Sequence, residues 1–234
     1  MIDIHTHVLP CVDDGSDSIK KSIKMLNIAV KMGVTDIILT PHYRMQYKLG
    51  KEQLLEEFES FKKEAKNEQI PVNLYLGQEI YVGKDYLRTF EQNKVFTLNG
   101  TSYALLEFNF GKECDIADAV FELSLRGYKS VIAHFERYDY ATIEEAFAIK
   151  KLGGLIQVNA SSLLGKRGFS CKKMARRLLE EGLVDFVASD IHSKRTNYLE
   201  KAYKIVCKKY GKETADKVFT ENAKTLFIES QANA

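Results

Sequence analysis

Short apolar runs rich in Val, Ile and Leu alternate along the chain with longer segments whose apolar residues recur every three or four positions. The runs predict strands near MIDIH (1–5), TDIILT (35–40), VNLYLGQE (72–79), YALLEF (103–108), SVIAH (130–134), LIQVN (155–159) and VDFVAS (184–189). Most are unbroken rather than alternating, as expected of parallel strands covered on both faces. Asp17 or Ser18 can cap a helix that ends near Gly33, with Ile19, Ile23, Leu26 and Val30 facing inward. KEQLLEEFESFKKEAK (51–66) carries Leu54, Leu55, Phe58 and Phe61 at helical spacing. Further helices fit 115–126, 142–152, 170–182 and 197–210, with Gly127, Gly153, Gly182 and Gly211 as stops. Residues 218–227 read as a final turn or helix and 229–234 as a loose tail, leaving 1–228 as one domain. Seven strands alternating with helices predict an α/β fold on a parallel sheet, open or closed into a barrel.

Composition narrows the class. With 234 residues, 45% hydrophobic and 28% charged, the chain fits one core-forming domain. A net charge of +2 gives no bulk field for nucleic acid or a membrane surface. No apolar run approaches the roughly 20 residues of a membrane span, and no basic stretch precedes an apolar core at the N-terminus. Cys11, Cys114, Cys171 and Cys207 are widely spaced, which predicts reduced, mostly buried thiols in a cytoplasmic protein.

The chemistry collects at strand ends. The first strand ends in His5 and His7, the second in Thr-Pro-His42, the third in Gly-Gln-Glu79 and the fourth in Glu107. The fifth ends in His134, the sixth in Asn159, and the seventh in Asp190-Ile-His192. All five histidines therefore fall at one edge, with three carboxylates; Asp13 or Asp14 adds a fourth from the first loop. Carboxyl ends of parallel strands converge on one mouth, where ligands bind. Side chains alternate along a strand, so His5 and His7 share a face, as do Asp190 and His192. A ring of imidazoles and carboxylates there repels itself unless cations sit inside it. The donors are nitrogen and oxygen only, which suits Mn, Fe, Zn or Co better than copper, magnesium or calcium.

The ordered set M-I-D-I-H-T-H, D-D-G-S, T-P-H, G-Q-E-I, L-L-E-F, V-I-A-H-x-E-R and A-S-D-x-H resembles the polymerase-and-histidinol-phosphatase superfamily. Within it the match is to the manganese-dependent protein-tyrosine phosphatases of bacterial capsule and exopolysaccharide loci, in order from Met1 to about Phe227. That resemblance implies a distorted seven-stranded (β/α)7 barrel with three divalent ions, manganese foremost, at its mouth. Carried over by motif, the ligands are His5, His7, Asp14, His42, Glu79, Glu107, His134, Asp190 and His192. Arg137, in the H-F-E-R segment, matches the family's phosphate-contacting arginine, although Phe135 stands where relatives often carry proline. Three divalent ions against four carboxylates leave a surplus of two positive charges, suited to a phosphate dianion. The implied reaction is phosphomonoester hydrolysis by a metal-activated hydroxide, with Arg137 on the phosphoryl oxygens and Asp190 or His192 able to protonate the leaving group. The implied partner is a bacterial tyrosine kinase with a tyrosine-rich tail.

Near the mouth, Tyr43 and Arg44 open a stretch of interleaved aromatic and basic residues able to receive a phosphotyrosine ring; a solvated loop is the competing reading. The main rival activity is small-molecule phosphatase, such as histidinol-phosphate phosphatase. The strand-end lysine usual in a metal-dependent amidohydrolase has no evident candidate in this chain, and a degenerate docking domain would not keep the full ligand set. Cys171-Lys-Lys-Met-Ala-Arg-Arg177 spells the thiol phosphatase spacing, but it has no glycine and runs on as a helical pattern.

Overall fold

The computed structural model describes residues 1–47 and 49–232. Its strands are β1 (Ile2–Thr6), β2 (Asp36–Leu39), β3 (His42–Tyr43), β4 (Asn73–Leu76), β5 (Glu79–Tyr81), β6 (Tyr103–Glu107), β7 (Lys129–Ile132), β8 (Leu155–Asn159) and β9 (Phe186–Ala188). All pair in parallel, in the orders β1-β2-β4 and β3-β5-β6-β7-β8-β9. The chain is thus a single-domain α/β protein on a curled parallel sheet. Thr6 bridges Ile191, and backbone bonds of 3.0 Å join Asp190 N to His5 O and His7 N to Ile191 O, so β1 lies against the chain leaving β9.

The second expected strand forms as β2 and is followed, past a break, by the additional two-residue β3; the third is broken into β4 and β5. Pro41 supplies no N–H at the first break, between β2 and β3. At the second, Gly77 sits where an added Cβ would meet Leu98 at 3.0 Å and Ile38 at 3.3 Å. Each break turns the following residue pair toward the mouth, which aligns His42 with Glu79.

The helices are α1 (Ile19–Lys31), α2 (Lys51–Asn67), α3 (Tyr86–Glu91), α4 (Ile116–Ser124), α5 (Ile143–Lys151), α6 (Ala160–Leu163), α7 (Phe169–Glu180), α8 (Leu199–Tyr210), α9 (Lys212–Asp216) and α10 (Thr225–Ala232). Among the described residues, none is long and apolar enough to cross a membrane. The inward face of α1 is rotated from expectation: Ser22, Met25, Leu26 and Ala29 are buried, while Ile19 is exposed. Ser22 turns in because its hydroxyl bonds Ser16 at 2.8 Å. The expected loose segment from Glu229 instead continues α10, tied down where Glu229 accepts from Ser102 N at 2.9 Å. Residues 233–234 lie outside the described residues.

Strand residues of alternate parity divide between two cores, as the two-residue period requires. Ile37, Leu39, Ala104, Leu106 and Ile132 pack outward among the helices. Ile2, Ile4, Ile38, Leu105, Val131 and Phe186 pack on the concave side, with Leu226 of α10 among them. In β1 the register slips between Asp3 and Thr6, so that Thr6 pairs with the outward Leu39. That irregularity passes the inward face from even to odd positions and turns His5 and His7 to the mouth. All four cysteines are free, but their burial departs from expectation: Cys11 is exposed and the other three are half-buried.

Candidate metal centre

The nine expected ligands meet at the carboxyl edge of the sheet. Their donor atoms form four overlapping groups, each with atoms within 4.8 Å of one another. The groups are His7, Asp14, His42 and His192; His5, His7 and Asp190; His5, Glu79 and His134; and His42, Glu79 and Glu107. All but Asp14 are buried.

Hydrogen bonds fix which ring nitrogens face inward. Gln157 Oε1 lies 3.0 Å from His5 Nδ1, and Asp13 Oδ2 lies 2.7 Å from His7 Nδ1. Both acceptors require the proton on Nδ1, which leaves each neutral ring with its Nε2 lone pair. Those two Nε2 atoms stand 3.2 Å apart. Two facing lone pairs repel; a shared cation between neighbours converts the arrangement into a chelate. The same crowding leaves the buried atoms Glu79 Oε2, Glu107 Oε2 and His42 Nδ1 without a well-formed hydrogen bond among the described residues, even where His42 Nδ1 lies 2.9 Å from Glu79 Oε2. The donor set and its orphaned atoms fit divalent metal ions.

Electrostatics follow from crowding. Burial works against charge on His5 and His7, yet the neighbouring carboxylates raise both pKa values, through Glu79 and Asp190 for His5 and through Asp13 and Glu79 for His7. Glu107 is pushed up to about 8 by burial and by the Glu79 carboxylate. His134 falls to about 4, through burial and the charge of Arg137. Burial pushes Asp190 upward, but the imidazoles of His5, His134, His7 and His192 hold it below the usual carboxylate range. A bound cation relieves the conflict, since it lets carboxylates ionise and imidazoles stay neutral at once.

The Asp-Asp-Gly loop divides its labour. Asp13 orients His7 and accepts from the backbone N–H of His42 (3.0 Å) and Gly15 (2.9 Å). Asp14 instead faces the cavity, 3.5 Å from His42 Nε2 and 3.7 Å from His192 Nε2. Gly15 permits the closure, because a Cβ there would lie 2.2 Å from His7 O. His134 and Asp190 both hold left-handed backbones, with φ of 36° and 48°, a strain found at functional sites.

Arg137 reaches this centre. Phe135 is fully buried, the turn carries Arg137 N to His134 O at 2.8 Å, and Nη1 lies 3.2 Å from Asp190 Oδ2. The guanidinium also stacks 4.3 Å from the Phe110 ring centre. Arg44 approaches from the opposite side, 3.6 Å from Glu107 and 3.8 Å from Asp14. A cavity of about 190 Å³ lies among these groups, lined by arginines, imidazoles and carboxylates with Phe110 as its aromatic wall. Tyr43 sits beside Arg44 but lines a neighbouring groove of about 600 Å³ instead.

Several residues here escaped sequence reasoning. Gln157 holds His5 and accepts from His134 N at 2.8 Å, while its amide donates to Asn159 at 2.9 Å. Asn159 in turn donates to Asp190 Oδ2 at 2.8 Å. The signal was two amides at i, i+2 in an otherwise apolar strand. Arg167 and Arg195 also reach Asp190 Oδ2, at 3.5 and 3.4 Å, and no spacing marks them.

The thiol alternative fails on geometry. Cys171 is the third residue of α7, and burial raises its pKa, the reverse of what a nucleophilic thiolate needs. Cys171→Ser is expected to retain full phosphatase activity; a folded variant without activity would reinstate the thiol.

These features define an α/β protein with a candidate metal centre at the carboxyl edge of a parallel sheet. The chain belongs to the CpsB/CapC family of capsular polysaccharide synthesis, which matches residues 1–228. It is 35% identical to the tyrosine-protein phosphatase CpsB of Streptococcus agalactiae, over 97% of this chain and 98% of that protein. The tyrosine-protein phosphatase YwqE of Bacillus subtilis is 34% identical, over 97% of this chain and 91% of its own length. Crystal structures of YwqE and of CpsB from Streptococcus pneumoniae, described as metal-dependent tyrosine phosphatases, supply a match with a TM-score of 0.88 and 32% identity, covering 99% of this chain and 94% of the other. The likeness to Lactococcus lactis histidinol phosphate phosphatase, with a TM-score of 0.56 and 12% identity over 90% of this chain and 93% of that one, is one of fold alone.

Proposed function

We propose that this chain is a cytoplasmic, metal-dependent protein-tyrosine phosphatase acting on a bacterial tyrosine kinase that controls capsule or exopolysaccharide synthesis. The relatives at about a third identity across nearly the whole chain support the activity. The observation that carries the chemistry is the pair of Nε2 lone pairs at 3.2 Å, each fixed by an outer hydrogen bond. Counting β2 with β3 and β4 with β5, the strands read as the seven staves of a distorted (β/α)7 barrel. Residues 1–228 form the catalytic domain.

His5, His7, Asp14, His42, Glu79, Glu107, His134, Asp190 and His192 would hold three divalent ions, manganese foremost, with iron, zinc or cobalt compatible with the same donors. Ions bound there supply Lewis acidity and a water nucleophile at neutral pH. Asp13 and Gln157 keep the rings of His7 and His5 in the ligating tautomer. Arg137, fixed between Phe110 and Asp190, presents its remaining N–H groups to phosphoryl oxygens, where they stabilise charge that grows in the transition state. Protonation of the leaving oxygen, by His192 in preference to the ionised Asp190, would complete the step. The small polar cavity accommodates the phosphoryl group, so the tyrosine ring lies outside it. The adjoining groove shares Arg44, Glu107 and Phe110 with that cavity and adds Tyr43, Tyr81 and Tyr86, an aromatic wall suited to an aryl ester.

Chelation is expected to abolish phosphotyrosyl-peptide hydrolysis, and manganese to restore it. The enzyme should turn over that peptide far faster than histidinol phosphate. Activity that survives complete metal stripping would defeat the mechanism; a preference for histidinol phosphate would replace the substrate with a small molecule.

A further inference from the structure

Beside the cavity at the metal centre lies a second one, of about 260 Å³, that the hydrolytic reaction leaves without a role. Lys166, Arg167, Arg195, Ser161, Thr196 and Tyr198 line it, and it shares Asp190 and Arg195 with the first cavity. Arg137 lines only the first cavity of the two, and Arg167 only the second.

Charge in this corner does not balance. Arg137, Arg167 and Arg195 all approach the same oxygen, Asp190 Oδ2, at 3.2, 3.5 and 3.4 Å, and that oxygen already accepts from Asn159. The other oxygen, Oδ1, faces His7 at 3.7 Å and His192 at 3.5 Å, and Arg195 Nη1 reaches it as well, at 3.4 Å. Among the described residues, Asp190 is the one carboxylate within ion-pair distance of any of these guanidiniums. Lys166 adds a further cation, 5.9 Å from the Tyr198 ring centre and in no ion pair among the described residues. Like charges held this close in a half-buried corner are unfavourable unless an anion comes to them. Serine and threonine hydroxyls add neutral donors of the kind that orient an oxyanion.

We propose that this cavity is a second anion subsite, which takes an acidic group of the substrate chain flanking the phosphotyrosine. The proposal deepens the phosphatase reading and rests on it. Arg195 stands between the two cavities: its guanidinium faces the phosphate on one side and the flanking anion on the other. An extended peptide advances about 3.3 Å per residue, so neighbouring cavities correspond to residues close together in the substrate. The planar forks of Arg167 and Arg195 match a carboxylate or a second phosphate equally well. The subsite would make the enzyme selective for tyrosines in acidic surroundings.

The test uses the metal-loaded full chain and three phosphotyrosyl peptides of equal length. One carries glutamates on both sides of the phosphotyrosine, one carries glutamines there, and one carries a second phosphotyrosine. Wild-type kcat/KM is expected to be about tenfold higher on an anionic peptide than on the glutamine peptide. The difference should lie in KM and shrink as salt is raised. Arg167→Ala should bring that ratio near one, and Arg167→Lys should keep most of it. Lys166→Glu, a change to an exposed side chain with the fold not at stake, should lower the ratio further. Using the ratio cancels any general change in turnover. The faster of the two anionic peptides identifies the source of the charge, carboxylate or second phosphate, and either supports the subsite. Equal kcat/KM on all three peptides overturns it, as does a preference that survives both Arg167→Ala and Lys166→Glu. Hydrolysis of no peptide at all overturns the phosphatase reading and the subsite together.

Discussion

Glu79→Gln should yield a folded protein that has lost its metal and, with it, turnover by about a thousandfold or more. Glu79 is fully buried and lies at the centre of the imidazole cluster. Its Oε2 is 3.3 Å from His5 Nε2, 3.2 Å from His7 Nε2 and 2.9 Å from His42 Nδ1, and its Oε1 is 2.7 Å from His134 Nε2. Glutamine has nearly the same shape, so packing is preserved. It removes the central negative charge and turns an amide group toward nitrogens that need a cation. Elemental analysis of the purified variant, with circular dichroism as the folding control, reads the result. Wild-type metal content in an inactive variant would assign Glu79 a role other than ligation.

The second large effect is expected at Asp190→Asn. Here one buried carboxylate answers three guanidiniums, of Arg137, Arg167 and Arg195, together with the imidazoles of His7 and His192. Removing one partner of a buried charge network leaves the rest uncompensated, at a cost of roughly 3 kcal/mol or more. In a domain of this size that lowers Tm by about 6–12 °C. Activity should fall by about a thousandfold as well, because Arg137 loses its anchor and the centre loses a ligand. Thermal unfolding and peptide hydrolysis, measured on the same preparation, check both halves. A variant as stable as wild type would show that the arginines do not depend on this carboxylate.

Much of the site was visible in the chain because it follows the strand period. His5 with His7 and Asp190 with His192 lie at spacing two, and each remaining ligand but the loop residue Asp14 ends an apolar run, where an uncompensated charge is costly. Spacing alone did not separate Asp13 from Asp14, since adjacent loop residues exchange roles by rotation of a single turn; the family motif pointed to Asp14, and the closure around Gly15 shows how the two roles divide. Arg167 and Arg195 remained hidden because they come from loops whose course depends on the packing of α7 and α8, not on a local period. The same limit explains α1. Apolar spacing fits either of two adjacent stripes, and the hydroxyl pair Ser16 and Ser22 chose the one that sequence disfavoured. The break after β4 answers to tertiary contact: Gly77 is needed because Leu98 and Ile38 press against it.

Crystals grown with manganese and measured at its absorption edge provide the most direct test. Anomalous peaks among His5, His7, Asp14, His42, Glu79, Glu107, His134, Asp190 and His192 are expected, with the His5 and His7 Nε2 atoms on a common ion. Crystals saturated with manganese in which no peak appears there, and in which the two Nε2 atoms still face each other, would contradict the metal cage and the hydrolysis built on it.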